Sequence, residues 1–294
     1  MAVAKILGRR TADQRRDIKK EFNKISSTSL EDTIKKKFPK DCQDLMIESI
    51  MGTYEYLANE MNDALKEKDK YAILDIIVGL SNNEITRLKN MYQGMFNKDL
   101  TVSVKEIMAK EKVMCDLFVK LLSCKRPEPP KYQILLRDFA AMVNLSKAAK
   151  DAQFLANNGI PKMSENSDAI NLLCDRTKPE LRACFEEIFK ITDDGFAGLV
   201  EKKIKEKDMR EDVKSIGFAL AYPEEYFTDR LYQSMKGIGT KDRILRRVCL
   251  MRSEVDMEDI KLIYRFIKNT ELIKDVEGDT SGEYRSMLSS LIGV

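Results

Sequence analysis

The sequence predicts an all-α protein, an array of four repeats of about seventy residues with about five short helices in each, the first repeat shortened at its start. Three observations predict it. The same helix-start signature recurs at four places, the apolar residues after each signature fall in the same helical phase, and no run alternates as a strand would. Composition agrees, with 43% apolar residues, 34% charged residues and only 7 prolines and 13 glycines in 294 residues.

The signature is a capping box, Ser or Thr followed three positions later by an acid or amide, which satisfies two orphan amides reciprocally. It stands at Thr11 (TADQ), Ser81 (SNNE), Thr177 (TKPE) and Ser253 (SEVD). Seven positions after each come Ile18, Leu88, Cys184 and Ile260, and eleven positions after come Phe22, Tyr92, Ile188 and Tyr264. Those spacings lie on one helical face, so each box is expected to open an amphipathic helix with its core stripe in the same register. The boxes are 70, 96 and 76 residues apart, which places extra chain between the second and third copies, where the prolines of KRPEPPKY mark a connector. The expected layout is repeat I at 1–53, repeat II at 54–124, a connector at 125–145, repeat III at 146–221 and repeat IV at 222–294.

The fourth copy reads as helices at 223–236, 240–252, 256–268, 270–276 and 281–292. In the first, only AVAKILGR precedes the box, too short for the two helices that precede it in the fourth.

Charge and residue inventory exclude several functions. Net charge is +3, from 51 basic and 48 acidic residues, which argues against nucleic acid as a partner. No run reaches the roughly eighteen apolar residues of a membrane span, and the start MAVAKILGRR does not read as a secretory signal. Six cysteines form no C-x-x-C pair and there is no histidine, so free thiols are expected, and catalysis by a serine or cysteine with a histidine is excluded. Nothing marks a nucleophile or cofactor loop, and a non-enzymatic protein is expected. The basic segments GRRTADQRRDIKK and TIKKKFPK read as solvated helix faces or as a contact for an anionic partner.

The stretch MKGIGTKD, followed about forty residues later by EGDTSGEY, bears on chemistry. Gly237 and Gly239 allow a sharp turn that leaves carbonyl oxygens pointing outward, and Thr240 can cap the next helix. Carbonyls of Met235, Gly237 and Gly239 would offer hard oxygens, and Asp279 a carboxylate, to a cation wanting six to eight oxygens at about 2.3–2.6 Å. The same loop is equally a glycine-terminated helix followed by a capped one, needing no ligand. A P-loop does not fit, because GIGTKD lacks the Gly-Lys-Ser/Thr ending.

MKGIGTKDRILRRVCLMRSEVDMEDIKLIY with GDTSGEY resembles a repeat of the annexin family, the calcium-dependent phospholipid-binding proteins. Asp279 lies 42 positions after Gly237, as the family's acidic ligand follows its first loop glycine. The four-copy layout extends the resemblance over nearly the whole chain, which looks most like the divergent alpha-giardin branch. The resemblance implies five-helix repeats forming a curved disc, with calcium loops on the convex face. It implies Met235, Gly237 and Gly239 as backbone calcium ligands, Asp279 as the side-chain ligand, Lys236 as a partner for lipid phosphate and Ile238 as an apex dipping into the headgroup boundary.

The other copies depart from the pattern. In the second, ALKEKDKYAIL is two residues shorter and lacks glycine, with Ala109 near the acidic position, although Glu67 and Asp69 remain cation-binding candidates of another type. In the first the loop is missing and Lys37 sits near that position. In the third, NNGIPKMSENS resembles the family's Gly-x-x-Lys-x-Gly variant, which implies Gly159, Lys162 and Ser164 as ligands with Glu206 or Asp208 as the acid. Arg176 and Arg252, which precede two of the boxes, are expected to be structural.

The expected function is calcium-dependent, peripheral, non-enzymatic binding to acidic phospholipid membranes from the cytoplasm. The alternative is a cytoskeletal scaffold or membrane–cytoskeleton adaptor, with microtubules as partner and little dependence on calcium.

Overall fold

The computed structural model describes residues 2–128 and 140–293 and contains, among them, nineteen α-helices and no strand. Residues 129–139, the middle of the expected connector, lie outside the described residues. The fourth copy folds as Pro223–Met235, Asp242–Arg252, Met257–Lys268, Leu272–Asp279 and Gly282–Ile292, close to the expected bounds. The first copy has Ala2–Gly8 ahead of Ala12–Ile25, one helix where the fourth has two.

Three of the four capping boxes form. Thr11, Ser81 and Thr177 each accept the amide three residues on, and Gln14, Glu84 and Glu180 reach back to the N-cap amide. The fourth does not. Ser253 has a right-handed backbone at the end of helix Asp242–Arg252, and the next helix starts only at Met257. The reason is competition for the acid, since Arg252 Nε donates to Asp256 Oδ1 at 2.8 Å and Nη2 donates to Oδ2. Both Asp256 oxygens are held by the guanidinium fork and not by the Ser253 amide.

The shared register holds where helices are fully covered. Leu88, Cys184, Ile260, Tyr92, Ile188 and Tyr264 are buried, whereas Ile18 and Phe22 are half-buried, in the copy that has one fewer preceding helix. Arg15 is buried there instead, donating through Nε to the Ser49 carbonyl at 2.8 Å and through Nη1 to the Arg10 carbonyl at 2.5 Å. It satisfies carbonyls that helix ends leave without intrahelical partners.

The chain divides into two compact units, Met1–Asn59 with Phe227–Val294, and Glu60–Tyr226. The divisions fall inside helices Thr53–Glu67 and Pro223–Met235. In the first unit the opening helix Ala2–Gly8 packs on the closing helix Gly282–Ile292. A Cβ built at Gly8 would lie 2.5 Å from Ser290 Cβ and 2.9 Å from the Met287 carbonyl oxygen, so only glycine permits this approach. Arg246 forks onto Glu48 at 3.0 and 2.9 Å in the same unit. Gly8→Val is expected to destabilise by about 1–3 kcal/mol, as overpacking does, read as a lowered midpoint in urea. An unchanged midpoint would contradict the packing.

In the second unit, helix Lys70–Val78 is buried from Ala72 onward, and Phe185 stacks on Phe196 at 4.2 Å between ring centroids. Arg176 forks onto Asp151 at 2.6 and 2.9 Å, the structural role expected of it. All six cysteines are free, and complete burial pushes the Cys249 thiol up to about 12, out of the reactive range.

Candidate metal centre

The glycine loop forms as the glycines dictate. Helix Pro223–Met235 ends, Gly237 and Gly239 take φ of +104° and +78°, and the Lys241 amide returns to the Ser234 carbonyl at 2.7 Å. Side chains disfavour such backbone angles, yet a Cβ at either glycine would meet nothing within 4 Å. The glycines therefore serve the turn and not close packing. Among the described residues, no hydrogen bond outside the helices ends on the carbonyl oxygens of Met235, Gly237 or Gly239. At the apex Ile238 is 108% exposed, with no apolar cover.

The distant acid comes to this loop. Asp279 closes helix Leu272–Asp279, and Thr240 Oγ1 donates to its Oδ2 at 2.5 Å and to its carbonyl at 3.1 Å. The expected capping role of Thr240 is thereby corrected. The next helix has Lys241 at its N-cap without a side-chain bond, and the threonine hydroxyl binds Asp279 instead.

A second carboxylate is close but committed. Asp275 accepts from the Tyr264 hydroxyl at 2.6 Å and from Thr270 at 3.3 Å. Burial, with the contact to Asp275, pushes the Tyr264 phenol up. Asp275 and Asp279 line a cleft of about 250 Å³ together with Tyr232, Tyr264, Lys236 and Lys274. Lys236 Nζ lies 5.5 Å from the Tyr232 ring centroid. Of the two acids, Asp279 keeps an oxygen, Oδ1, that no described hydrogen bond engages. Carbonyl and carboxylate oxygens are the donors that calcium takes, and the Thr240 contact brings Asp279 to the segment that carries the loop.

The third copy is built differently. Leu155–Gly159 winds as a π-helical turn, and the Lys162 carbonyl accepts the amides of Glu165 and Asn166 at 2.9 and 3.1 Å. A Cβ at Gly159 would lie 3.0 Å from Phe154 Cε1, so this glycine serves close packing and not an open turn. Glu206 caps helix Lys207–Ala221, accepting from the amides of Asp208 and Met209 at 2.9 and 2.5 Å. Among the described residues no hydrogen bond or ion pair joins Gly159, Lys162 or Ser164 to Glu206 or Asp208. Within 157–167 the carbonyls of Asn158, Ile160 and Lys162 accept amides from the same segment.

In the second copy Asp69 caps helix Lys70–Val78, accepting from the Tyr71 and Ala72 amides at 3.1 and 2.9 Å. Lys70 Nζ contacts Asp212 Oδ2 at 2.9 Å and Glu111 Oε2 at 3.0 Å. Reading the sequence did not find this cluster, whose only local signal is a lysine standing where a glycine loop should open.

The family model "Annexin" matches residues 2–48 and 226–291, the stretches that contain the glycine loop and Asp279. Annexin A13 of Homo sapiens is 26% identical over 294 residues, covering 99% of this chain and 89% of the relative. Among solved structures, chicken annexin V superposes with a TM-score of 0.84 at 25% identity, over 99% of this chain and 89% of that one. Calcium-bound alpha-14 giardin superposes at 0.78 and 15% identity, over 99% and 92%, a likeness that concerns the fold. The repeated helical plan, the glycine loop and the full-length relatives agree in a likeness to annexins.

Proposed function

We propose that this protein binds acidic phospholipid membranes peripherally and in response to calcium, through the loop of its fourth copy. The family is that of calcium-dependent phospholipid-binding proteins, generally non-enzymatic. The observation that carries the reading for this chain is the pairing of an open glycine loop with Asp279, held together by Thr240.

Calcium, when bound, supplies a positive centre able to join protein oxygens to lipid phosphate. Met235, Gly237 and Gly239 would hold it through their carbonyls and Asp279 through its carboxylate. One carboxylate leaves a dication undercompensated, so affinity is expected to be weak until a lipid phosphate adds oxygen and charge. Ile238, fully exposed at the apex, is suited to the headgroup–acyl boundary, where burial of apolar area favours attachment. Lys236, next to the first loop glycine in sequence, would contribute about 1 kcal/mol near an anionic surface. Among the described residues no helix is long and apolar enough to cross a membrane, which fits docking from one side.

Sedimentation with phosphatidylserine vesicles tests the reading. The protein is expected to pellet with vesicles in calcium and to be released by chelator. Equal pelleting in both conditions would overturn it and favour the scaffold alternative.

A further inference from the structure

The basic segment TIKKKFPK has no part in the fourth-copy loop, yet the repeat fixes where it stands. Helix Leu30–Lys37 of the first copy and helix Leu272–Asp279 of the fourth have eight residues each and begin 19 positions after Thr11 and Ser253. Lys37 is therefore the positional counterpart of Asp279. Lys40, which opens helix Lys40–Ser49, is the counterpart of Gly282, which opens Gly282–Ile292. Where the fourth copy presents an acid, the first presents an ammonium.

Contacts within the unit Met1–Asn59 with Phe227–Val294 place this segment at the same end as the glycine loop. Arg15 joins two helix ends. It donates through Nε to the carbonyl of Ser49, the last residue of Lys40–Ser49, and pairs at 3.3 Å with Glu254, two residues past the end of Asp242–Arg252. Toward the other end, Arg246 Nη2 lies 3.7 Å from Asp44 Oδ2, each residue four positions after the first of its helix. The two helices thus run side by side in the same direction. Both start at the end away from Arg15, one directly after the turn 235–241 and the other directly after Lys35–Pro39.

We infer that the first copy contacts anionic phospholipid directly, without calcium, through Lys35, Lys36, Lys37 and Lys40, at the same end of the unit as the glycine loop.

Three observations support this. All four lysines are exposed, and among the described residues no acid pairs with any of them. Residues 35–40 hold four lysines and no acid, a density of positive charge that attracts acidic headgroups. Helix stability accounts for only part of the cluster. Cations in the last turn of Leu30–Lys37 complement the helix dipole, but Lys40 stands in the first turn of the next helix, where the dipole disfavours a cation. A phosphate-bearing surface against this end compensates the charge that the fold opposes. The inference takes its membrane partner from the function proposed above, and does not depend on calcium.

Sedimentation of the full chain with phosphatidylserine vesicles in chelator, at about 0.01 M salt where screening extends to about 30 Å, reads this contact alone. The unsubstituted protein is expected to bind there, more weakly than in calcium, and not to bind phosphatidylcholine vesicles. Lys35→Gln, Lys36→Gln, Lys37→Gln and Lys40→Gln together should weaken chelator binding at least about tenfold. The same four positions changed to Arg should preserve it. A charge-matched control changes Arg10, Arg16, Lys20 and Lys24 to Gln, all exposed, on and just before helix Ala12–Ile25, which begins at the Arg15 end. It should retain most of the binding. Asp279→Asn should leave chelator binding unchanged while it shifts the calcium response, so failure of the calcium loop and failure of the basic contact are read separately. Chelator binding that is absent, unaffected by the four lysine-to-glutamine changes, or lost equally in the charge-matched control would overturn the inference.

Discussion

Asp279→Asn is expected to reduce calcium-dependent vesicle binding about ten- to hundredfold while leaving the fold intact. The substitution keeps an oxygen for Thr240 to donate to, so the 2.5 Å contact that closes the loop has a neutral counterpart. What it removes is the one negative charge offered to the metal at this loop. Contacts to charged groups contribute about 1.5–3 kcal/mol, and about 1.4 kcal/mol is tenfold in affinity. Asp279→Ala should lose at least as much and disturb the loop as well. The check is the calcium concentration at half-maximal sedimentation, compared at one lipid composition. A curve superimposable on that of the unsubstituted protein would show that Asp279 is not a ligand. Asp275→Asn provides the control, because its carboxylate is already committed to Tyr264 and Thr270. It is expected to affect stability more than calcium response.

Arg252→Met should be among the most destabilising single changes, at about 3–5 kcal/mol, the usual cost of removing one partner from a buried pair. The guanidinium is buried, forks onto Asp256 and lies over the Phe227 ring at 4.7 Å. The side chains of Arg252 and Asp256 are 5% and 12% exposed, so solvent screens the pair little. Taking away the arginine strands a nearly buried carboxylate. The double change Arg252→Met with Asp256→Leu should recover part of the loss, because an apolar pair no longer carries an uncompensated charge. Equilibrium urea unfolding of the two single variants and the double closes the cycle. A single-variant loss below about 1 kcal/mol, in the range of exposed pairs, would refute the buried role.

Much of the fourth copy was legible because local chemistry and tertiary structure agree there. Gly237 and Gly239 sit at positive φ, where only glycine is comfortable, and their spacing announced an open turn. The failures come from residues whose partners lie outside the local window. SEVD has the letters of a capping box, but Asp256 is taken by Arg252, four residues upstream. Thr240 looked like a cap and binds Asp279 instead, 39 positions away. Gly159 looked like a loop glycine, yet Phe154, Leu155 and Ala169 crowd it, and glycine is there to admit neighbours. Sequence alone cannot separate a glycine chosen for its dihedral angle from one chosen for its missing side chain. The Lys70 cluster was invisible for a related reason, since Glu111 and Asp212 lie 41 and 142 positions away.

The most direct test of the account is diffraction from crystals of the full chain grown or soaked in calcium. A calcium ion is predicted at the turn 235–239, bound by main-chain oxygens of Met235, Gly237 and Gly239 and by the Asp279 carboxylate. Crystals at saturating calcium with ordered density for this turn and no ion between it and Asp279 would contradict the account.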